Sequence, residues 1–461
     1  MRARFRNIEG LRTLVGACLY YGGLTPFLRW RRRHQPGRRL LILTYHRAND
    51  PNLRAQFAYL RRHYRLLPLD DALAELYAPA SPDAASAAAG VTGVTGVTGV
   101  RGSNPDRRTP LAITFDDGYQ DTFTHLLPLA RALAVPVTLF LIPGYLSSGA
   151  PFWWLEGARL ARHAPAATLA PVRARLDALP VALDGLDATL DGLDATLDGP
   201  PTDLPAEAPA EAPAEAPAEA PAEALGWEAE RAARQALAQA LDARLRAAPS
   251  VAAREALLAH AQRWLQAPAA PVDAAEAAAW PLRWPQARAL VASGWVQVGA
   301  HTQHHPVLGR LRDPAEVAAE VSQSREALQR ELGQPVTTLA YPIGAPQAIG
   351  PHAPDAARHA GFSWAVSTVA GVNTPETNPL LLRRIGINSS DHWLVLAARV
   401  AGVRVRGLLP SRTKAPATHA DRKLAGEDED TPATTPTAPD QQTEAASVSA
   451  TPGATQPARH D

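Results

Sequence analysis

The chain has 461 residues, a hydrophobic fraction of 46% and a formal net charge of +1. That length and apolar content suffice for a full globular core, while near-neutrality excludes bulk electrostatic attraction to nucleic acid. The single cysteine, Cys18, excludes a disulfide framework and any cysteine-based metal site within one chain.

Residues 1–39 run basic, then moderately apolar from Leu14 to Leu28, then basic again through Arg31, Arg32, Arg33, Arg38 and Arg39. Gly22, Gly23 and Pro26 interrupt the apolar part, which is too short for a membrane span of about 20 residues. Val15-Gly16-Ala17-Cys18 loosely matches a lipoprotein processing site, but almost no apolar segment precedes the cysteine, which argues against it. Two readings of 1–39 fit equally: a basic helix in peripheral contact with an anionic membrane surface, or a solvated helix packed on the domain. With no clear signal peptide, the chain is expected to be membrane-associated or on the cytoplasmic face of the inner membrane and not secreted.

Residues 40–410 read as one interrupted domain. Short apolar runs rich in β-formers occur at Leu40–Tyr45, Leu111–Phe115, Val137–Ile142, Val296–Gly299, Thr338–Tyr341, Trp364–Thr368 and Arg384–Asn388. Helical patterns separate most of them, one from Trp284-Pro285 to Gly294 and another from Asp313 to Leu332 with Val317, Val321 and Leu328 on one face. This alternation predicts an α/β fold with a mainly parallel sheet. Low-complexity sequence interrupts it at 79–109, where VTG repeats from Val91 to Gly99, and at 184–224, where GLDATLD occurs twice before repeating PAEA units. The excursion 156–279 has Ala/Leu helices of its own (Leu237, Leu241, Leu245) and reads as an insertion. The Thr/Pro/Ala-rich tail 411–461 is expected to be disordered, because such composition buries too little apolar area to offset ordering entropy.

Two constellations carry chemistry. In Thr114-Phe115-Asp116-Asp117-Gly118, adjacent carboxylates follow directly on a buried strand, the end that faces the site in a β/α barrel. Neighbouring acids repel and need a cation or a shared proton; the alternative is a solvated Asp-Asp-Gly turn. In His301-Thr302-Gln303-His304-His305-Pro306, again after a strand, one helical turn would put His301 and His305 on one face while His304 points elsewhere. One Asp and two His around a divalent ion leave positions open for water and substrate, as catalytic sites require; the alternative is a surface or structural histidine cluster.

In this order the two motifs resemble those of the polysaccharide deacetylase (NodB-homology) family. Tyr341-Pro342-Ile343-Gly344 looks like the family's Y-P-x-G element. Leu43 to Arg47, Leu382 to Gly386 and Phe152-Trp153-Trp154 resemble parts of one bacterial branch, so the likeness covers 40–155 and 280–390. It implies a distorted (β/α) barrel of about seven strands with a helical, low-complexity insertion. It also implies that Asp117, His301 and His305 hold a divalent metal, zinc foremost with cobalt or nickel as alternatives. Asp116 would be the general base, and a backbone N–H near Ile343, beside Tyr341, would meet the oxyanion. Two positions depart from the family: Ala340 stands where an arginine orients the base, and Arg384 about where a histidine protonates the leaving amine. His46 is the candidate for that acid, or else a packed histidine. Arg384 is the candidate to orient Asp116, or else a surface arginine. Tyr45, Tyr119, Trp153 and Trp154 are candidates to stack on sugar rings, or else core aromatics. The expected activity is removal of N-acetyl, less readily O-acetyl, groups from an N-acetylated cell-surface glycan or its lipid-linked precursor. The alternatives are a non-sugar amidohydrolase of the same superfamily and a glycan-binding pseudoenzyme.

Overall fold

The run Leu-Ile-Leu-Thr-Tyr of β1 (Leu41–Tyr45) is buried at every position, as a strand covered on both faces requires. The same holds for β4 (Val137–Leu141), and for β3 (Pro110–Phe115) beyond its first residue. With β2 (Arg65–Leu66), β5 (Val296–Ala300), β6 (Thr338–Ala340), β7 (Trp364–Val366) and β8 (Ile385–Gly386) they form one sheet in the order β7-β6-β5-β4-β3-β1-β8, with β2 paired to β3. Every pairing is parallel. The structure is a computed structural model and describes residues 2–79, 106–179, 222–268 and 273–403, with side chains from residue 9 and, in the third span, from residue 229. The tail 411–461 and most of the tracts 79–109 and 184–224 lie outside the described residues.

The fold is a distorted (β/α) barrel, as the resemblance implies, built on the parallel sheet that the alternation predicts. All seven expected strands are present, some shorter than their apolar runs; the two-residue β2 has no apolar alternation to reveal it. The strand period of two sorts the side chains. Leu41, Leu43 and Tyr45 join Leu111, Ile113, Phe115, Val137, Leu139 and Leu141 in the main core. Leu40, Ile42, Ala112, Phe140, Ala340, Val366 and Leu382 form a separate cluster closed by Leu69, Leu73 and Leu76 of helix Leu69–Tyr77. Continuing that second face puts Thr44, Thr114 and Asp116 on one side. The stretch from Leu382 to Gly386 bridges Val366 at one end and pairs with Leu43 and Thr44 at the other, drawing the two edges of the sheet together.

Helices Trp153–His163, Ala166–Ala178, Ala222–Ala247 and Val251–Leu265 build a second apolar cluster around Trp153, Leu160, Leu241, Leu257 and Trp264, joined to the barrel through Tyr119, Ile142 and Tyr145. Helices Arg2–Tyr21 and Leu24–Arg33 precede the barrel. Gly16 lies so close to the Leu394 backbone that an added Cβ would sit 3.0 Å from it, and Tyr20 meets Trp393 edge-on at 5.1 Å. The first helix therefore packs on helix Trp393–Val400. Truncating fully buried Leu43 to alanine should cost about 2–5 kcal/mol in urea unfolding; a cost under about 1 kcal/mol would remove β1 from the rigid core.

Candidate active site

Asp116 and Asp117 follow β3, and the chain reverses there through left-handed residues, Asp117 at φ 73° and Gly118 at φ 80°. A Cβ at Gly118 would also meet Leu141 Cδ2 at 2.6 Å, so only glycine fits. Among the described non-glycine residues with positive φ, Asp117, Thr302, His305 and Ile343 belong to the motifs, while Ala134 and Gln266 cap helices. Backbone strain thus gathers where function is expected.

The two carboxylates have different partners. Asp116 accepts a bidentate pair from Arg384, Nη1 to Oδ1 at 2.7 Å and Nη2 to Oδ2 at 2.8 Å, and a third bond from Thr44 Oγ1 at 3.2 Å. Arg384 is fully buried and is held by Ser367 O and Thr114 Oγ1. Burial pushes the Asp116 carboxyl up, but the Arg384 charge, the charge of His301, the Arg384 hydrogen bonds and the charge of His46 outweigh it and hold the group at about 2. Arg384 is therefore not a surface arginine. Half-buried His46 follows β1 and is near enough for its charge to act on Asp116.

Asp117 instead faces two imidazoles, with Oδ1 3.5 Å from His301 Nε2 and 3.7 Å from His305 Nε2. These gaps exceed a hydrogen bond, yet tetrahedral ligands at zinc distances stand about 3.4 Å apart. All three ligand groups are buried, with their donor atoms within 4.8 Å of one another. His301 donates from Nδ1 to Ala340 O at 2.6 Å, which fixes the tautomer and turns Nε2 toward Asp117. Burial, then the charges of His301, Arg254 and Arg246, push His305 well below the usual imidazole range, leaving the neutral form that can ligate. The donor set fits a divalent cation.

The histidines do not meet by a helical turn, as their spacing suggested. Residues 301–307 form a loop with left-handed Thr302 and His305. Thr302 Oγ1 accepts from His305 N at 3.1 Å, and buried Glu320 accepts from His304 N at 2.8 Å and pairs with His304 Nδ1 at 2.6 Å. From the insertion side, Trp153 Nε1 donates to His305 O at 2.9 Å and Arg254 Nη2 to His304 O at 3.1 Å. A Cβ at Gly144 would collide with the Gln303 carbonyl, so the loop also rests on bare backbone. Glu320 and Arg254 are absent from the sequence reading because helix-surface acids and insertion arginines have no local signature.

Three aromatic expectations are corrected. Tyr45 is buried and stacked on Phe115 at 5.0 Å, and Trp153 is buried under the histidine loop. Tyr119 is buried with Arg47 over its ring at 4.7 Å and Phe152 edge-on at 5.0 Å; its hydroxyl accepts from Trp154 Nε1 at 2.9 Å. None of the three offers a ring face. Tyr341 is a further correction: its N–H bonds Val366 O and its hydroxyl Leu380 O, so both donors serve the fold. Trp154 is half-buried with its ring 4.2 Å from that of His305. Ile343 lies exposed in the turn after β6, three residues beyond the Ala340 carbonyl that His301 holds.

Fold and site define a distorted (β/α) barrel with a buried Asp-His-His group that could hold a metal ion. Residues 258–363 match the sequence profile of the family described as polysaccharide deacetylase; that span holds the histidine pair and the Tyr341-Pro342 motif, while the aspartates lie before the insertion. Over that span the chain is similar to the polysaccharide deacetylases. Among solved structures it is similar to IcaB from Ammonifex degensii, at 16% identity and TM-score 0.40 over 79% of this chain and 98% of that one. It is also similar to the BpsB deacetylase domain from Bordetella bronchiseptica, at 14% identity and TM-score 0.38 over 77% and 98%. The Streptococcus pyogenes deacetylase PplD in complex with acetate gives 14%, 0.38, 76% and 93%. No curated protein sequence matches the chain.

Replacing Arg384 by leucine should lower stability by about 3–5 kcal/mol near neutral pH, because Asp116 is left charged, buried and unpaired. In the parent protein the depressed carboxyl stabilises the fold above the ordinary carboxylate range, and this is lost as pH falls through about 2. In the variant burial raises the group instead, so the difference should narrow as the medium is acidified. Denaturant melts of metal-free protein across pH would show this, and a constant difference would contradict the pairing. His305→Ala should lose most bound zinc in equilibrium dialysis while keeping its circular dichroism spectrum; undiminished zinc would remove His305 from the site.

Proposed function

We propose that the protein removes N-acetyl groups from an N-acetylated glycan of the cell envelope, or from its precursor, by metal-assisted hydrolysis. The observation that supports this most is the division of two adjacent carboxylates, one held ionised by Arg384 and one facing two imidazoles at cation spacing. Asp117, His301 and His305 would hold a divalent ion, zinc foremost with cobalt or nickel as alternatives, which would polarise the acetamide carbonyl and acidify water at the site.

Asp116 takes the proton of the attacking water. Arg384 keeps the Asp116 carboxyl ionised, the form that can accept a proton. Arg384 fixes the carboxylate with both oxygens engaged and takes the orienting place that Ala340 leaves open. The turn at Ile343 offers backbone to the developing oxyanion. His46 gives a proton to the departing amine. Trp154, half-buried, stacked on Phe152 at 4.6 Å and braced by Tyr119, is the one of these aromatics with surface left for a sugar to meet.

The test is acetate release from N-acetylglucosamine oligomers by the full chain with added zinc or cobalt. Chelation should abolish release, and Asp116→Asn should reduce it at least about a hundredfold. Oligomer binding without release would instead indicate a glycan-binding protein, and turnover of cyclic ureides or imides alone a different amidohydrolase.

A further inference from the structure

The described residues include eight large apolar side chains left exposed, and six of them lie on the first two helices: Leu11, Leu14, Tyr21, Leu24, Phe27 and Trp30. Single exposed apolar residues are ordinary, but a contiguous set marks a docking surface. Positions 11, 14 and 21, with exposed Cys18 between them, follow helical spacing along one side, while Gly16 and Tyr20 pack on the domain from another. After the turn at Gly23 the pattern resumes at 24, 27 and 30, where Phe27 and Trp30 stack at 6.0 Å. Tyr21 is 74% exposed and Trp30 57%.

The same helix runs into a cationic cleft. Arg33, Arg38, Arg39, Arg65, Arg107 and Arg108 line it, with Glu75 and Asp106 as the lining carboxylates. Arg65 already pairs with Glu75 and Arg108 with Asp106, so the remaining guanidinium charge is surplus. Arg39 Nη1 is buried without a hydrogen-bond partner. Guanidinium groups of this kind suit phosphate oxygens.

We propose that helices Arg2–Tyr21 and Leu24–Arg33 dock the protein onto an anionic lipid bilayer, with Leu14, Tyr21, Leu24, Phe27 and Trp30 entering the interface and the arginine cleft taking lipid phosphates. Apolar side chains call for hydrocarbon and arginines for phosphate, and an anionic bilayer presents both in adjacent layers. A symmetric second copy would set arginine against arginine, which charge disfavours. No helix among the described residues is long and apolar enough to cross a membrane, so these helices lie in the interface plane. The two readings of residues 1–39 are then the two sides of one helix pair, one packed on the barrel and one turned to lipid.

The test is co-sedimentation of the full-length protein with vesicles of phosphatidylcholine alone or mixed with phosphatidylglycerol, at low and high salt. Binding should require phosphatidylglycerol, weaken with salt, and fall about tenfold or more both in Phe27→Ser/Trp30→Ser and in Arg33→Gln/Arg38→Gln/Arg39→Gln. The substituted apolar side chains are exposed, and circular dichroism and acetate release on soluble oligomers should stay as in the parent. No sedimentation with anionic vesicles, or sedimentation that both variants retain, would overturn the proposal. So would light scattering that shows a dimer dissociated by Phe27→Ser/Trp30→Ser with no vesicle binding. Vesicle binding is read without turnover, so its failure and a failure of the deacetylase reading are separate results.

Discussion

Asp116 and Asp117 are neighbours in sequence, both buried, at the end of one strand. Two carboxylates in that position cannot both stay charged without separate compensation. The chain gives Asp116 a guanidinium from the residue just before β8 and gives Asp117 two imidazoles from the loop after β5. The rest of the molecule follows from supplying those partners. Arg384 reaches Asp116 because Leu382 to Gly386 crosses from β7 to β1, so the seam of the barrel doubles as the support of the Asp116 carboxylate. Thr44 and Thr114 complete it because a period of two puts them on the side of Asp116.

The imidazole side is built differently. A loop with two left-handed residues is strained by itself and persists only if its surroundings over-determine it. Glu320, Trp153, Arg254 and the bare backbone of Gly144 do so from the barrel and from the inserted helices. The insertion is therefore not a decoration of the barrel. Its arginines also add positive charge near His305, which together with burial keeps that ring neutral. The neutral ring is the form that could ligate a cation.

The first two helices reconcile a core-facing side with a side that no described element covers. Their aromatics divide accordingly, Tyr20 against Trp393 and Trp30 outward against Phe27.

The strands, the helix starts at Trp284 and Pro314, both aspartates and the two histidines that face Asp117 were legible in the sequence. They depend on local chemistry: periodicity, caps, and polar residues placed directly after apolar runs. The departures Ala340 and Arg384 were legible too, but only as a gap and a spare charge. That Arg384 reaches across 268 positions to Asp116 was decided by closure of the sheet, which brings its last strand to β1. Glu320 and Arg254 lie only 16 and 50 positions from His304, but their partners are a loop amide, a ring nitrogen and loop carbonyls without a signature. Tyr45, Tyr119, Trp153 and Tyr341 went into packing because a strand-end aromatic takes whichever apolar surface is nearest, and only the assembled layers fix which surface that is. Sequence alone determined which groups can do chemistry; tertiary structure decided which of them meet, because charge pairing and burial act between segments the chain order keeps apart.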